Sequence, residues 1–456
     1  MPRFSLIFVL IIFTSCSLDN KTGIWKDASN IIVENNQAQS LEDSNEKLYE
    51  DLFTEKKIFN EEKNSLNASK LKIDSPINVV NWFEQYGIPT NNISNFSYSG
   101  DSLLVSSSRR LSKFSSQKNN SNRNIVFYQN NLISYDHRGT IFIYSIDLKK
   151  KIFEYNFYKK KFKKFQKEIF LIIYEDVLYA ADNLGYIYAI NLKNQSIIWA
   201  KNYGIPFRSN LKAINKQIFL ANQDNVIYSI STTTGKKKWQ FATSPTFLKS
   251  NFKNNFALDI INNNLFFLNT SGELYSISYL NQKINWVINF KKRSASNDTN
   301  LFISKPIILK NDSLIITTNN SISSYNISTA TRNWIFYVDS ILKPIATLNN
   351  IYIITKNDFL ICLNNETGSV IWSQNIYKNL NNAKLVKKIG KFNNFKIINK
   401  IINLYSKNGY LLSFNFTTGK RNNINRVSKN GINSDVFILN NSIFLLNKKN
   451  KLFKYN

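Results

Sequence analysis

Residues 177–199 read VLYAADNLGYIYAINLKNQSIIW, and this stretch decides the fold. An apolar run leads into Asp182-Asn183-Leu184-Gly185, whose residue types make a tight turn: Asp bonds the backbone two residues on, and Gly accepts positive φ. A second run, 186–191, alternates Tyr186, Tyr188 and Ile190 on one face. A further polar turn near Lys193-Asn194-Gln195 precedes a third strand that ends on Trp199.

The plan recurs along the chain. Residues 218–239 read IFLANQDNVIYSISTTTGKKKW, 265–286 read LFFLNTSGELYSISYLNQKINW, 314–334 read LIITTNNSISSYNISTATRNW, and 351–372 read IYIITKNDFLICLNNETGSVIW. Trp199, Trp239, Trp286, Trp334 and Trp372 stand 40, 47, 48 and 38 residues apart. That period is one four-stranded propeller blade. Gly185, Gly272 and Gly409 fall at turns, Asp182 and Asn269 can cap them, and each Trp is placed to wedge between neighbouring blades.

Weaker copies flank the clear ones. Residues 132–155 keep Asp136 and Gly139, and 402–422 keep Gly409 and Gly419, but neither has the Trp. A half unit begins at Ile443. Val79–Trp82 reads as a lone strand that could complete it and remove an open sheet edge. The expectation is an all-β, eight-bladed propeller of four-stranded antiparallel blades over residues 77–456, closed by the Trp82 strand, with seven blades as the alternative.

Upstream lies an address. Arg3 precedes the apolar run 6–13, which is too short to span a bilayer, and Thr14-Ser15-Cys16 follows. Small residues before a cysteine resemble a bacterial lipobox, although Phe13 stands where Leu is usual. Residues 1–15 are expected to be a cleaved signal and Cys16 to carry lipid. Ser17 in place of Asp favours the outer membrane. Residues 16–76 are polar and read as a flexible tether, with a transient helix over 41–57 at most.

The net charge is +29, with acids concentrated in 42–62. A basic surface suits anionic partners, although an abundance of Asn, Ile and Lys also follows from an AT-rich genome. For an exported chain nucleic acid is not the expected partner. The most basic stretch, 149–168, interleaves Lys with Phe and Tyr and reads as a solvated inter-blade loop, with contact to an anionic membrane or an acidic partner as the alternative. Two cysteines leave no internal disulfide once Cys16 is acylated, and Cys362 reads as a small buried hydrophobe. The single histidine, His137, lies in a turn with no nucleophile motif beside it, and no His/Cys cluster has metal-ligand spacing.

The turn pattern at 181–189, with the Gly-x-x-x-Trp endings at 234–239 and 367–372, resembles the pyrroloquinoline-quinone-like repeat. Proteins with that repeat include quinone- and calcium-dependent dehydrogenases and the cofactor-free BamB family of outer-membrane assembly lipoproteins. The chain looks like the latter. It has a lipoprotein signal, a short tether and one propeller, and it lacks the vicinal cysteines and long insertions of many dehydrogenases.

The resemblance implies a scaffold without enzymatic activity, cofactor or metal. It would bind a BamA-like β-barrel insertase and other subunits of the assembly complex, with unfolded barrel proteins as further partners. It places the contact surface on Tyr203–Leu211, with Arg208 and Phe207, and on 296–306, with Asp298. A quinoprotein-like dehydrogenase and a scaffold of another envelope assembly remain the competing classes.

Overall fold

A computed structural model describes residues 17–18, 25–26, 57–64, 71–101, 103–112, 124–158, 162, 165–245, 253–290, 302–380 and 382–456. Two compact units result, 1–57 and 58–456. Within the first, Ser17–Leu18 pairs antiparallel with Trp25–Lys26. The second is an eight-bladed β-propeller.

Eight four-stranded antiparallel sheets make the ring. Seven are continuous meanders: blade 1 spans 126–156, blade 2 169–202, blade 3 212–242, blade 4 255–289, blade 5 308–337, blade 6 345–375 and blade 7 392–426. First strands of adjacent blades touch one another, so they line the axis and each chain runs outward from it. One helix among the described residues, α1 (Ala383–Ile389), leads into blade 7; the Asn382 side chain accepts from the Leu385 amide at 3.0 Å.

Blade 8 is composite. Its first three strands are Phe437–Leu439, Ser442–Leu446 and Leu452–Tyr455, and its outer strand is Leu104–Ser107. Ring closure from the N-terminal side is as expected, but Val79–Trp82 is not the closing strand. Trp82 instead exchanges both backbone hydrogen bonds with Phe127, at 2.9 Å each, on the inner edge of blade 1. Inner edges carry unpaired N–H and C=O groups just as outer edges do. At the axis the indole is 1% exposed, stacked near Phe96 and edge-on to Phe437. On the rim Leu103 and Leu104 remain 67% and 53% exposed.

Blade strands are more apolar than simple alternation requires. Ile218, Phe219, Leu220 and Ala221 are all fully buried, because each sheet is sandwiched between two neighbours and both faces are covered. Outer strands are more exposed, and in that of blade 2 only Trp199 is buried. The turn chemistry read from the sequence holds: Asp182 Oδ1 accepts from the amides of Leu184 and Tyr186, Asn269 Oδ1 from those of Ser271 and Glu273, and Gly185, Gly272 and Gly409 have φ of 86°, 86° and 89°.

One cross-strand row recurs. In blades 2 to 6 it runs Tyr179–Ala189–Trp199, Phe219–Ser229–Trp239, Phe266–Ser276–Trp286, Ile315–Ser324–Trp334 and Tyr352–Cys362–Trp372, each followed by a bulge. The small central residue leaves room for the indole. The indole then packs under the turn that joins the third and outer strands of the next blade. Trp199, Trp286 and Trp334 donate Nε1–H to the carbonyls of Thr232, Ile327 and Asn365 at 2.8, 2.9 and 2.8 Å. Cys362 is buried as a small packing group, and burial pushes its thiol pKa up.

Part of the stretch read as tether belongs to the propeller unit. Lys63 exchanges backbone bonds with Ser373 on the outer strand of blade 6, at 2.9 and 2.8 Å, and Phe59 N–H reaches the Tyr337 carbonyl of blade 5 at 3.0 Å. Residue 74 then meets the inner hairpin of blade 5, where Lys310 Nζ lies 2.5 Å from Asp74 Oδ1. Outer strands of a propeller leave a free edge, and this segment uses two of them.

Candidate functional site

Residues 77–99 lie on the inner edges of all eight blades in turn and form a collar about the axis. Val79 O accepts from Asn440 (blade 8), Trp82 pairs with Phe127 (blade 1), and Phe83 O accepts from Ile173 (blade 2). Glu84 meets Lys212 (blade 3), Pro89 O accepts from Leu258 (blade 4), and Thr90 O accepts from Leu309 (blade 5). The Asn92 amide bonds both backbone groups of Ala346 (blade 6), Phe96 pairs with Ile397 and Asn399 (blade 7), and Ser99 returns to Asn441. These partners lie toward the ends of the inner strands and at the hairpins that follow them, so the collar sits at that end of the channel.

Charge is concentrated where collar and ring meet. Lys212 Nζ is 2.9 Å from Glu84 Oε1 and 2.7 Å from Asn91 Oδ1, with both ionic side chains buried. Burial raises the Glu84 pKa and lowers that of Lys212, each opposed by the partner's charge. Lys343 donates to the Asn91 carbonyl at 2.8 Å; burial, with Lys396 and Lys212 nearby, pushes its ammonium down to about 7. Lys396 is paired with Asp435 at 3.1 Å and lies over the ring of Trp82 at 5.3 Å.

The residues singled out from the sequence sit at the opposite ends of the inner strands. Arg208 enters blade 3 through the crossover from blade 2. Its guanidinium is 3.6 Å from Glu168, which also holds Lys253 at 2.5 Å, and only 11% of its side chain is exposed. Burial lowers its pKa against the pull of Glu168. Phe207 is fully buried against Tyr203 and Tyr228, so it anchors the crossover from inside. Asp298, Cys16 and the signal lie outside the described residues. In the basic stretch, Lys167 is 2% exposed and donates to the carbonyls of Phe162 and Phe165, so this lysine serves the loop's own packing.

Sequence reading missed the collar and the buried amides that staple neighbouring inner strands. Asn210 exchanges two bonds with Phe256, at 2.9 and 2.8 Å, and Asn394 bonds Ser434 O and Val436 N at 3.0 Å each. The available signal was an Asn at the entry of an inner strand, hidden in a chain rich in Asn.

Fold, repeat and row of tryptophans define an eight-bladed propeller of the pyrroloquinoline-quinone-repeat class. The family model described as outer membrane protein assembly factor BamB matches residues 158–374, which hold the five tryptophan blades. The chain is a BamB-like propeller of this class. The crystal structure of BamB from Moraxella catarrhalis superposes with a TM-score of 0.59 at 12% identity, covering 78% of this chain and 99% of that one. Quinohemoprotein alcohol dehydrogenase from Comamonas testosteroni also superposes at 0.59, with 8% identity, 82% of this chain and 80% of that one. The computationally designed Ika8 protein gives 0.52 at 10% identity, covering 73% and 94%. No curated protein sequence matches the chain.

Among the described residues no three His, Cys, Asp or Glu side chains converge as metal donors. Among the acids, Glu168 pairs with Arg208 and Lys253, Asp435 with Lys396, and Asp182 bonds Tyr158 and its own turn.

Proposed function

We propose that this protein is a non-enzymatic scaffold of the outer-membrane β-barrel assembly machinery, held to the periplasmic face of the outer membrane by lipid on Cys16. The observation that carries this reading is the BamB description matched across the five regular blades, joined to a solved BamB structure that the chain covers almost entirely. The sequence Thr14-Ser15-Cys16 after an apolar run supports the anchor.

In this reading the ring works by rigidity. Inter-blade tryptophans and the collar hold the blades together, and the crossovers between blades present a surface to a BamA-like insertase, with other assembly subunits and unfolded barrel proteins as further partners. Arg208 acts from beneath that surface by holding the crossover into blade 3 through Glu168, and Asp298 belongs to a second loop. The crossover backbone and its exposed neighbours make the contact.

A detergent-solubilised pull-down of the tagged, lipidated protein from its host, analysed by mass spectrometry, tests this. Recovery of a BamA-like barrel protein is the expected result. Recovery of other envelope proteins without any assembly subunit would overturn the reading.

A further inference from the structure

The tryptophan row runs through blades 2 to 6 and gives way in blade 7. In blade 7 the row is Asn403–Ser413–Asn423. Ser413 keeps the small central residue that makes room for an indole elsewhere, but Asn423 replaces the indole and Asn403 the aromatic beneath it. The receiving side is also missing. Blade 8 takes its third strand from 452–455 and its outer strand from 104–107, so no turn joins them to cap the seam.

A groove of about 860 Å³ opens there between blades 7 and 8. Asn403, Ser413, Asn423 and Asn425 line one wall. Leu103, Leu104 and Phe453 contribute apolar surface, and Arg426 and Lys429 stand at its margin against a single acid, Asp101. A smaller cavity shares Arg426 and Lys429 and adds Lys388 and Lys448, with no acid in its lining. The side chains of Asn423 and Asn425 hold no hydrogen bond among the described residues, and each carries the donor and acceptor that a peptide group needs.

From these features we infer that the seam between blades 7 and 8 binds an extended peptide segment of a partner protein. Its aromatic side chain fills the place of the missing tryptophan above Ser413. Its backbone meets the amides of Asn423 and Asn425, and an adjoining acidic residue meets Arg426 and Lys429. Charge complementarity selects the acid, and the place above Ser413, which its counterparts in blades 2 to 6 fill with an indole, selects the aromatic ring. The site lies on a different seam from Arg208 and does not depend on the assembly reading.

The test is fluorescence polarisation with the full-length protein and a labelled Gly/Ser peptide carrying one Trp followed by two Asp. The comparison peptide has Ala for Trp. The Trp peptide is expected to bind at least about tenfold more tightly. Asn423→Trp, which refills the seam from within, should remove that preference while the melting temperature holds or rises. Arg426→Glu, a change at an exposed side chain that leaves the row intact, should weaken binding about fivefold or more and remains informative if Asn423→Trp does not fold. Equal binding of the two peptides, no binding of either, or undiminished binding to both variants would overturn the inference.

Discussion

The carboxylate of Glu84 lies 2.9 Å from the ammonium of Lys212, and the two residues come from the collar and from the inner strand of blade 3. It is a buried bond between the structure's central insert and its wall. Taking both charges from water is costly, and leaving one of them alone is costlier. Lys212→Met should therefore destabilise the propeller by about 3–5 kcal/mol, whereas Lys212→Met with Glu84→Gln should recover most of the loss. Thermal unfolding followed by near-ultraviolet circular dichroism reads both. Equal damage from the single and double changes would show that packing, not charge, joins collar to ring.

Lys343 makes stability depend on pH in an unusual direction. Its ammonium titrates near 7 in the folded protein against 10.5 as the ordinary value. Between those limits the unfolded chain binds more protons, so stability rises with pH across this window. Below about 7 both states are protonated and the full penalty of the buried charge applies. Lys343→Met should raise the melting temperature at pH 6 and change it much less at pH 9. The reverse order would contradict this account.

Gly368 has φ of +70°, and a Cβ there would stand 2.5 Å from the ring of Trp334. Gly235 meets Trp199 at the same distance, with φ of +66°. Gly368→Ala should cost about 1–3 kcal/mol through strain and overlap together. Trp334→Ala should cost about 3–5 kcal/mol by emptying the wedge. In the double variant the overlap vanishes, so the losses should add to less than their sum, as a melting-temperature cycle would show.

The absence of a converging acidic donor set among the described residues has a measurable counterpart. Protein incubated with the quinone and calcium should reduce no dye with primary alcohols, and its melting temperature should not move with the quinone. A quinone-dependent rise in melting temperature together with dye reduction would favour the dehydrogenase class.

The blades were legible because their signals are local and repeated. Asp182 with Gly185, and a tryptophan at each unit's end, need only a short window to be read. Even the weak copies were countable, since Gly139 and Gly409 keep their turns where Phe153 and Asn423 stand in the tryptophan position.

The collar has no such signal. Each of its residues answers to a different blade, so 77–99 shows no period, and Val79–Trp82 resembles the closing strand more than Leu104–Ser107 does. Asparagine was discounted as compositional bias, yet it fills structural positions: Asn399–Lys400 and Asn440–Asn441 take positive φ at consecutive positions in inner hairpins, as tight two-residue turns require. Arg208 was singled out from the sequence as a contact residue, but its burial against Glu168 was not foreseen, because that contact joins residues from different blades.

The collar also sets a schedule. It is synthesised before every strand it touches: Asn92 must wait for Ala346, Phe96 for Ile397, and the Ser99 amide for Asn441, 342 residues later. Blades can form one by one as they emerge, but the hub around which they gather stays unsatisfied until the last is made. Under the proposed export, maturation becomes a single late event, and Trp82 and Phe96, buried in the finished hub, stay uncovered for the whole of the passage.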